Sequence, residues 1–279
     1  MYCSWVGDRI QSGQQPLSKP RRMHAILEDR FYCRLMCLPT PLLSTRFQVC
    51  VRTAVADECV ALLSNSRFRC VFIGQYVQVR LNEETKPLFL AIASAPDAEN
   101  ASFEFLVKKT DGNEWLTDIN MGTSIEISQI LGNGFPIEEN LEGFKYDFPT
   151  QNVLLFATGS GLAPIKAAIE SGQLNIQSEA GGRSCRFYYG ERTEDDLCYV
   201  DKFPAWEAAG YEIVPVLSQP DESKWNGRSG YVQNALEEDG IPIPRNSGSL
   251  LCGQKGMAES VKDLLTKAGV FEGRILTNF

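Results

Sequence analysis

The chain has 279 residues, 43% of them hydrophobic, and a formal net charge of −8. This length and apolar content predict two ordinary domains. The acidic balance excludes an extended nucleic-acid or anionic-membrane surface, because such a surface needs clustered Lys and Arg. No apolar run approaches the roughly 20 residues of a membrane-spanning helix, so no transmembrane segment is expected.

The cysteine and histidine content narrows the possible chemistry. The nine cysteines are odd in number, lie in apolar stretches and include no C-x-x-C pair, so reduced thiols are expected. The spacing of plant-type iron–sulfur ligands is absent, which argues against a built-in metal centre. The single histidine, His24, has no obvious partner, which argues against Ser-His-Asp and histidine–metal catalysis.

Residues 1–45 are basic, whereas the rest of the chain is acidic. Two interpretations of this extension stay open. It is either an organellar targeting segment or an ordinary disordered tail.

Residues 46–148 contain short β-like segments separated by turn residues. Phe103, Phe105 and Val107 occupy alternate positions, as expected of a half-buried antiparallel strand. Six such segments in about a hundred residues predict a six-stranded antiparallel Greek-key β-barrel. The predicted strands are 47–55, 59–63, 76–81, 88–92, 103–107 and 124–130.

Residues 149–279 alternate between strand and helix patterns, which predicts a parallel-sheet α/β nucleotide-binding domain. The predicted strands are 153–157, 184–190, 211–217 and 249–252. The predicted helices are 164–171, 201–209, 231–238 and 257–268.

The first βα connection of this domain, VLLFATGSGLAP at 153–164, predicts a dinucleotide or phosphate site. Gly159 and Gly161 can adopt positive φ and let the backbone approach a pyrophosphate. Pro164 fits the first helical turn, where its missing N–H costs no hydrogen bond. It also replaces the third glycine of G-x-G-x-x-G, which argues against an ordinary Rossmann dehydrogenase. The alternative is a tight βα turn without a ligand.

Six motifs in this order resemble the ferredoxin–NADP reductase superfamily and, within it, the plant plastid "fruit protein" group. The resemblance covers the chain from about Phe47 to Phe279. The motifs are GQYV at 74–77, ATGSGLAP at 157–164, YYGER at 188–192, DLCY at 196–199, GYVQ at 230–233 and CGQKGM at 252–257.

The resemblance implies a flavin-binding barrel and an NAD(P)-binding domain. It implies an enzyme that passes hydride from nicotinamide C4 to FAD N5 and electrons to a separate, unknown acceptor, located in a plastid or otherwise in the cytoplasm. The competing hypothesis is a catalytically silent NAD(P)-binding module or electron-transfer subunit that has lost FAD. Both NAD and NADP are compatible with the sequence.

The resemblance also implies residue roles on the NAD(P) side. Cys252 would pack beside the nicotinamide and Phe279 against the flavin, whereas a buried structural thiol and a terminal aromatic docked on the sheet edge are the plainer interpretations. For Arg192 the plainer interpretation is a surface ion pair with Glu191 or Glu194. The implied NAD(P) residues are Thr158, Gly159, Ser160, Gly161, Pro164, Gly190, Arg192, Ser218, Gly253 and Met257.

The flavin side departs from the family pattern. The Arg-x-Tyr-Ser box of the family aligns with Leu88–Ala91, and its Arg, Tyr and Ser are all absent. The glycine loop that would bind the FAD pyrophosphate becomes Thr-Asp-Gly-Asn at 110–113, where acidic neighbours oppose an anion. The implied FAD residues are Gln75, Tyr76, Leu90, Ala91, Ala93, Ser94, Gly112 and Asn113.

Overall fold

The computed structural model describes residues 45–54, 58–64, 72–96, 102–120, 122–141, 149–176 and 182–278, with backbone alone in the first two ranges and at Ser102. The predicted extension, apart from Thr45, lies outside these residues, and so does Phe279. Both interpretations of the extension therefore stay predictions.

The first half of the described chain forms one six-stranded antiparallel sheet, in the order β4-β3-β6-β1-β2-β5. Its strands are β1 Thr45–Ala54, β2 Glu58–Ser64, β3 Tyr76–Arg80, β4 Leu88–Ala91, β5 Ser102–Lys108 and β6 Ser124–Ile127. Two short helices that the sequence did not predict, α1 Glu114–Thr117 and α2 Ile137–Leu141, flank β6.

The two outer strands of this sheet also approach each other. Ile92, directly after β4, forms an antiparallel bridge with Phe105 of β5. The Ala93 amide donates to the Glu104 carbonyl at 2.7 Å. One face of the sheet is apolar and buried, and it includes Val77, which is fully buried.

The second half forms a six-stranded parallel sheet, in the order β10-β9-β8-β7-β11-β12, and so confirms the predicted α/β domain. Its strands are β7 Asn152–Thr158, β8 Ser184–Glu191, β9 Tyr211–Leu217, β10 Arg228–Ser229, β11 Ser247–Cys252 and β12 Ile275–Thr277. Its helices are α3 Leu162–Glu170, α4 Phe203–Ala208, α5 Val232–Asp239 and α6 Lys255–Ala268.

Both faces of the parallel sheet are buried, which explains the nearly continuous apolar runs of its strands. Leu155 and Ile165 belong to the cluster on the α3 face, and Phe156 and Val261 to the cluster on the α6 face. The α3-face cluster also contains Leu106 of β5 and Ala93, which follows β4, so the apolar core continues from one sheet into the other. No helix in the described part of the chain is both long and apolar enough to cross a membrane.

Candidate functional site

The predicted dinucleotide residues converge at the carboxyl edge of the parallel sheet. Thr158, the last residue of β7, pairs with Gly190 of β8. Cys252, the last residue of β11, pairs with Ala157 of β7. Because parallel strands end at a common edge, the segments that follow β7, β8, β9 and β11 meet there, where α/β sheets bind ligands.

The β7–α3 turn is packed on one side and open on the other. A Cβ on Gly161 would lie 2.4 Å from the carbonyl oxygen of Cys252, so only glycine fits this contact with β11. Gly159 has φ +55° and an open position where a Cβ would stand, and Ser160 is exposed. Pro164 is the third residue of α3, where its missing N–H leaves no hydrogen bond unmade. The turn therefore presents its backbone to an incoming ligand.

Gly253 closes the site from the β11 side. Its φ is +144°, and a Cβ there would lie 2.1 Å from Thr158 Oγ1. The adjacent Gln254 amide donates to Thr158 Oγ1 at 2.9 Å, which ties the two loops together. Gly190 is equally tight, since a Cβ would lie 2.9 Å from Val232 Cγ1. The glycines of the motifs thus allow three segments to meet at one point.

Arg192 and Ser218 extend the edge beyond the strand ends. The Ser218 amide donates to the Glu191 carbonyl at 3.0 Å, and the Gln219 amide donates to the Arg192 carbonyl at 2.8 Å. Arg192 is exposed and forms no ion pair with a described residue, so the predicted alternative, an ion pair with Glu191 or Glu194, is not found. Its guanidinium is available to an anion at this edge.

Cys252 is partly buried at the end of β11, and burial raises the pKa of its thiol to about 11. A hydrogen bond from the Asn278 side chain acts in the opposite direction but does not prevail. Because the thiol is neutral near pH 7, it is suited to packing and not to nucleophilic attack. Met257, predicted as a cofactor residue, is 6% exposed and packs in the α6-face cluster.

Slow alkylation tests the state of Cys252. With a pKa of about 11, roughly one thiol in a thousand is ionised at pH 8. Peptide-level mass spectrometry with iodoacetamide should show Cys252 reacting at least about tenfold more slowly in the folded protein than in urea. Equal rates in the two conditions would contradict the burial of this thiol.

The antiparallel sheet contributes its outer face at β3 and β4. Leu90, one of the implied FAD residues, pairs with the fully buried Val77 and packs against the apolar interior of the sheet, where it is partly buried. Adjacent residues of a strand point to opposite faces. The outer face instead carries Phe89, 64% exposed, with its ring centroid 6.0 Å from that of Tyr76. Ala91 pairs with Tyr76 and shares this face.

Three other predicted flavin contacts are occupied within the sheet. The Gln75 side chain accepts from the Phe72 amide at 3.1 Å and donates to the Gly132 carbonyl at 3.0 Å. Ala93 is fully buried and its amide is bonded to Glu104, whose own amide donates to Ser94 Oγ at 3.3 Å. These bonds stabilise turns and the β4–β5 approach, and they occupy the Gln75 side chain and the Ala93 amide, whereas the Ser94 hydroxyl acts only as an acceptor.

The loop at 110–114 does not fit a pyrophosphate. The Gly112 amide donates to Glu114 Oε2 at 2.8 Å, so a carboxylate of the chain already stands where the anion would bind. The Asn113 side chain accepts from the Thr110 amide at 2.8 Å and donates to the Lys108 carbonyl at 2.7 Å. A second anion beside Glu114 would be repelled.

The two sheets bring the remaining candidates to one boundary. Ala91, on the outer face of β4, and Cys252, at the end of β11, are both partly buried against the same α3-face cluster. The 159–161 loop also contacts β5, so the nucleotide loop lies against the antiparallel sheet. Sequence analysis missed Phe89, although its alternation with Leu88 and Leu90 was a signal for an outward aromatic side chain.

Residues 155–263 match the family model described as "Oxidoreductase NAD-binding domain". The chain is 36% identical over 214 residues to "Fruit protein pKIWI502" from Actinidia deliciosa, an alignment that covers 73% of this chain and 64% of that protein. These matches show an NAD-binding oxidoreductase domain, and they agree with the resemblance noted in the sequence.

More distant relatives include "NADH-cytochrome b5 reductase 1" from Eremothecium gossypii, 25% identical over 71% of this chain and 68% of that protein. A component of the Na(+)-translocating NADH-quinone reductase of Psychrobacter arcticus is 26% identical over 59% of this chain. The chain spans only 38% of the length of that component.

Solved structures share the fold of this chain. A ferredoxin NADP+ reductase from Neisseria gonorrhoeae with bound FAD and NADP superposes with a TM-score of 0.68 at 16% identity, over 84% of this chain and 97% of that one. The ferredoxin reductase in carbazole 1,9a-dioxygenase gives a TM-score of 0.69 at 16% identity, over 86% of this chain and 70% of that one.

Proposed function

We propose that the chain is an NAD(P)H oxidoreductase that passes electrons through a flavin to a separate redox partner. The observation that carries this proposal is that the nucleotide loop at 159–161 contacts β5 of the antiparallel sheet, while Cys252 and Ala91 pack against one shared apolar cluster. An NAD-binding domain beside an exposed aromatic face supports the alignment of two flat cofactors.

The proposed domain division follows the two sheets, with a flavin domain at 46–148 and an NAD(P) domain at 149–279. The strand order β4-β3-β6-β1-β2-β5, together with the bridge between Ile92 and Phe105, supports a closed Greek-key barrel for the first domain. The boundary follows α2 and precedes β7.

The chain's own groups would bind the dinucleotide at the carboxyl edge of the parallel sheet. The open backbone of Gly159 and Ser160 would hold the pyrophosphate, and Arg192 would supply the positive charge. Cys252 and Gly253 would limit the space for the nicotinamide and exclude water from it. The neutral Cys252 thiol takes no part in proton transfer.

A flavin fits one part of the antiparallel sheet and not another. The exposed Phe89 ring, with Tyr76 and Ala91 beside it, fits a flat aromatic ring. The Gly112 loop does not fit the diphosphate, since Glu114 holds its amide. When bound, the flavin supplies the hydride-accepting ring; the chain supplies orientation and a water-poor boundary.

Arg192→Gln tests the proposed anion partner. A charge-assisted hydrogen bond contributes roughly 1.5–3 kcal/mol, so its loss should raise the Kd for NADH or NADPH about 10- to 100-fold. Quenching of nicotinamide fluorescence by the purified protein measures this change.

Arg245→Gln is the matched control for Arg192→Gln. Arg245 is also exposed but lies just before β11, at the opposite edge of the sheet, so its replacement should leave both Kd values unchanged. Equal Kd values for the wild type and Arg192→Gln would remove Arg192 from the site.

The engagement of Gly112 by Glu114 favours a second candidate, a silent NAD(P)-binding module that has lost FAD. One preparation of the full chain separates the two. Protein that shows flavin absorbance, releases FAD on denaturation and reduces ferricyanide with NAD(P)H supports the enzyme. Colourless protein that binds NAD(P)H but takes up no added FAD supports the module.

The electron acceptor and the cellular location of the protein are also proposals. The plant relative supports a plastid location, and a soluble redox protein or a small molecule would accept the electrons. Ferricyanide reduction without reduction of any redox protein tested would favour a small-molecule acceptor.

A further inference from the structure

A buried lysine joins the dinucleotide loop to the antiparallel sheet. Lys166 lies in α3, about one turn after the 159–161 loop, and its side chain is 1% exposed. Its Nζ lies 2.7 Å from Glu170 Oε2, 3.1 Å from Glu104 Oε2 and 3.3 Å from the Ala93 carbonyl oxygen. Glu104 lies in β5 and Ala93 just after β4, so one ammonium group bridges the two halves of the molecule.

Tyr199 completes this cluster. Its hydroxyl donates to Glu104 Oε1 at 2.6 Å, and its ring centroid lies 5.1 Å from Lys166 Nζ. Burial, followed by the hydrogen bond to Glu104, raises the pKa of Tyr199 above its usual range, so Tyr199 stays a neutral donor. Both carboxylate oxygens of Glu104 are thus engaged by the parallel-sheet half, which fixes the orientation of this side chain.

A contribution to folding stability does not by itself explain why a charged side chain, Lys166, is buried at this position. Buried ion pairs are often no more stabilising than apolar side chains of the same volume, because desolvation offsets their attraction. Directional bonds, in contrast, determine position. The Ala93 carbonyl follows Ala91 by two residues, and Ala91 lies on the face proposed to hold the flavin.

We propose that Lys166 is a positioning residue that couples the nucleotide-binding loop at 159–161 to the end of β4, and so aligns the two redox groups. This inference rests on the proposed function. In the proposed function, Lys166 contacts neither cofactor and acts through its bonds to Ala93 and Glu104. Nucleotide binding at the loop should therefore slow amide hydrogen exchange around Ala93, where the end of β4 approaches β5.

Amide hydrogen exchange of the full chain, with and without saturating NADH or NADPH, tests the coupling. In the wild type, the nucleotide should slow exchange in peptides from the 159–166 region and also in peptides that contain Ala93. In Lys166→Met the first effect should persist and the second should vanish. In preparations that hold a flavin, its reduction should slow about 10- to 100-fold at saturating nucleotide, while Kd changes by less than about twofold.

Three further variants serve as controls for the Lys166→Met result. Lys166→Arg, which retains the charge, should restore part of the response. Lys262→Met removes a half-buried lysine whose Nζ is 2.8 Å from Glu272 Oε1, and should change nothing at Ala93. If Lys166→Met does not fold, Glu104→Gln removes the negative charge opposite Lys166 Nζ while keeping the bond to the Ala93 carbonyl, and should weaken the response at Ala93.

The outcomes separate this inference from the proposed function. Nucleotide protection near 159–166 without any effect at Ala93 in the wild type would overturn the role of Lys166 alone. So would an unchanged response in folded Lys166→Met, or in Glu104→Gln if the lysine variant fails to fold. No nucleotide protection anywhere in the wild type would overturn the proposed function, and the coupling with it.

Discussion

Gly253→Ala is expected to destabilise the protein and to disorder the junction of the β7 and β11 loops. The φ of +144° lies outside the regions open to an L-residue, and the added Cβ would stand 2.1 Å from Thr158 Oγ1 and 2.9 Å from Thr158 N. Backbone strain and overpacking each cost about 1–3 kcal/mol. The melting temperature should fall by roughly 5–15 °C in a thermal scan, with NAD(P)H binding weakened as well.

Gly256→Ala provides a matched control three residues further on. Gly256 lies in the first turn of α6, its φ is not positive, and a Cβ there meets nothing within 4 Å. Alanine in a helix is about 0.5–1 kcal/mol more favourable than glycine, so this variant should be slightly stabilised. If Gly253→Ala melts at the wild-type temperature, the close contact with Thr158 is not present in solution.

Gly159→Val should leave the protein folded while sharply weakening NAD(P)H binding. A Cβ at Gly159 meets no protein atom within 4 Å, so the valine projects into the space proposed for the pyrophosphate. The φ of +55° adds about 1–2 kcal/mol of backbone strain. The Kd and KM for NAD(P)H should rise by at least about tenfold, which corresponds to roughly 1.4 kcal/mol.

Gly172→Val separates ligand exclusion from backbone strain. Gly172 follows α3, has φ +71° and likewise has nothing within 4 Å of a Cβ, but it lies one helix away from the loop. It should lose similar stability and keep wild-type NAD(P)H binding. Unchanged binding in Gly159→Val would remove the loop from the site; an equal loss in both variants would attribute the effect to strain.

Local pattern was enough to predict most elements of the described chain. The predicted strand 211–217 matches β9, and the predicted helix 257–268 lies within α6. These segments are bounded by glycine and proline signals and bury a regular apolar face, so neighbouring residues alone specify them. The two-residue β10 and three-residue β12 were not predicted, because strands so short acquire their identity only from the strands they pair with.

The candidate site also has one part that the sequence predicted and one part that it did not. The ATGSGLAP loop was predictable because its glycines are required by local φ and by close backbone approach. The outward face of β4 was not predictable, because a shift of one residue reverses every side chain, and pairing with β3 sets the register.

The sequence by itself determined the order of the longer strands and helices, the nucleotide loop and the resemblance to the superfamily, since all of these depend on contiguous residues. Only the tertiary structure decided that Phe89 faces outward, that Glu114 holds the Gly112 amide and that Lys166 reaches Glu104, 62 residues away. The Phe89 and Lys166 assignments depend on strand pairing and on contacts between distant segments. The Glu114 contact depends on how one side chain turns back onto its own loop, which composition does not specify.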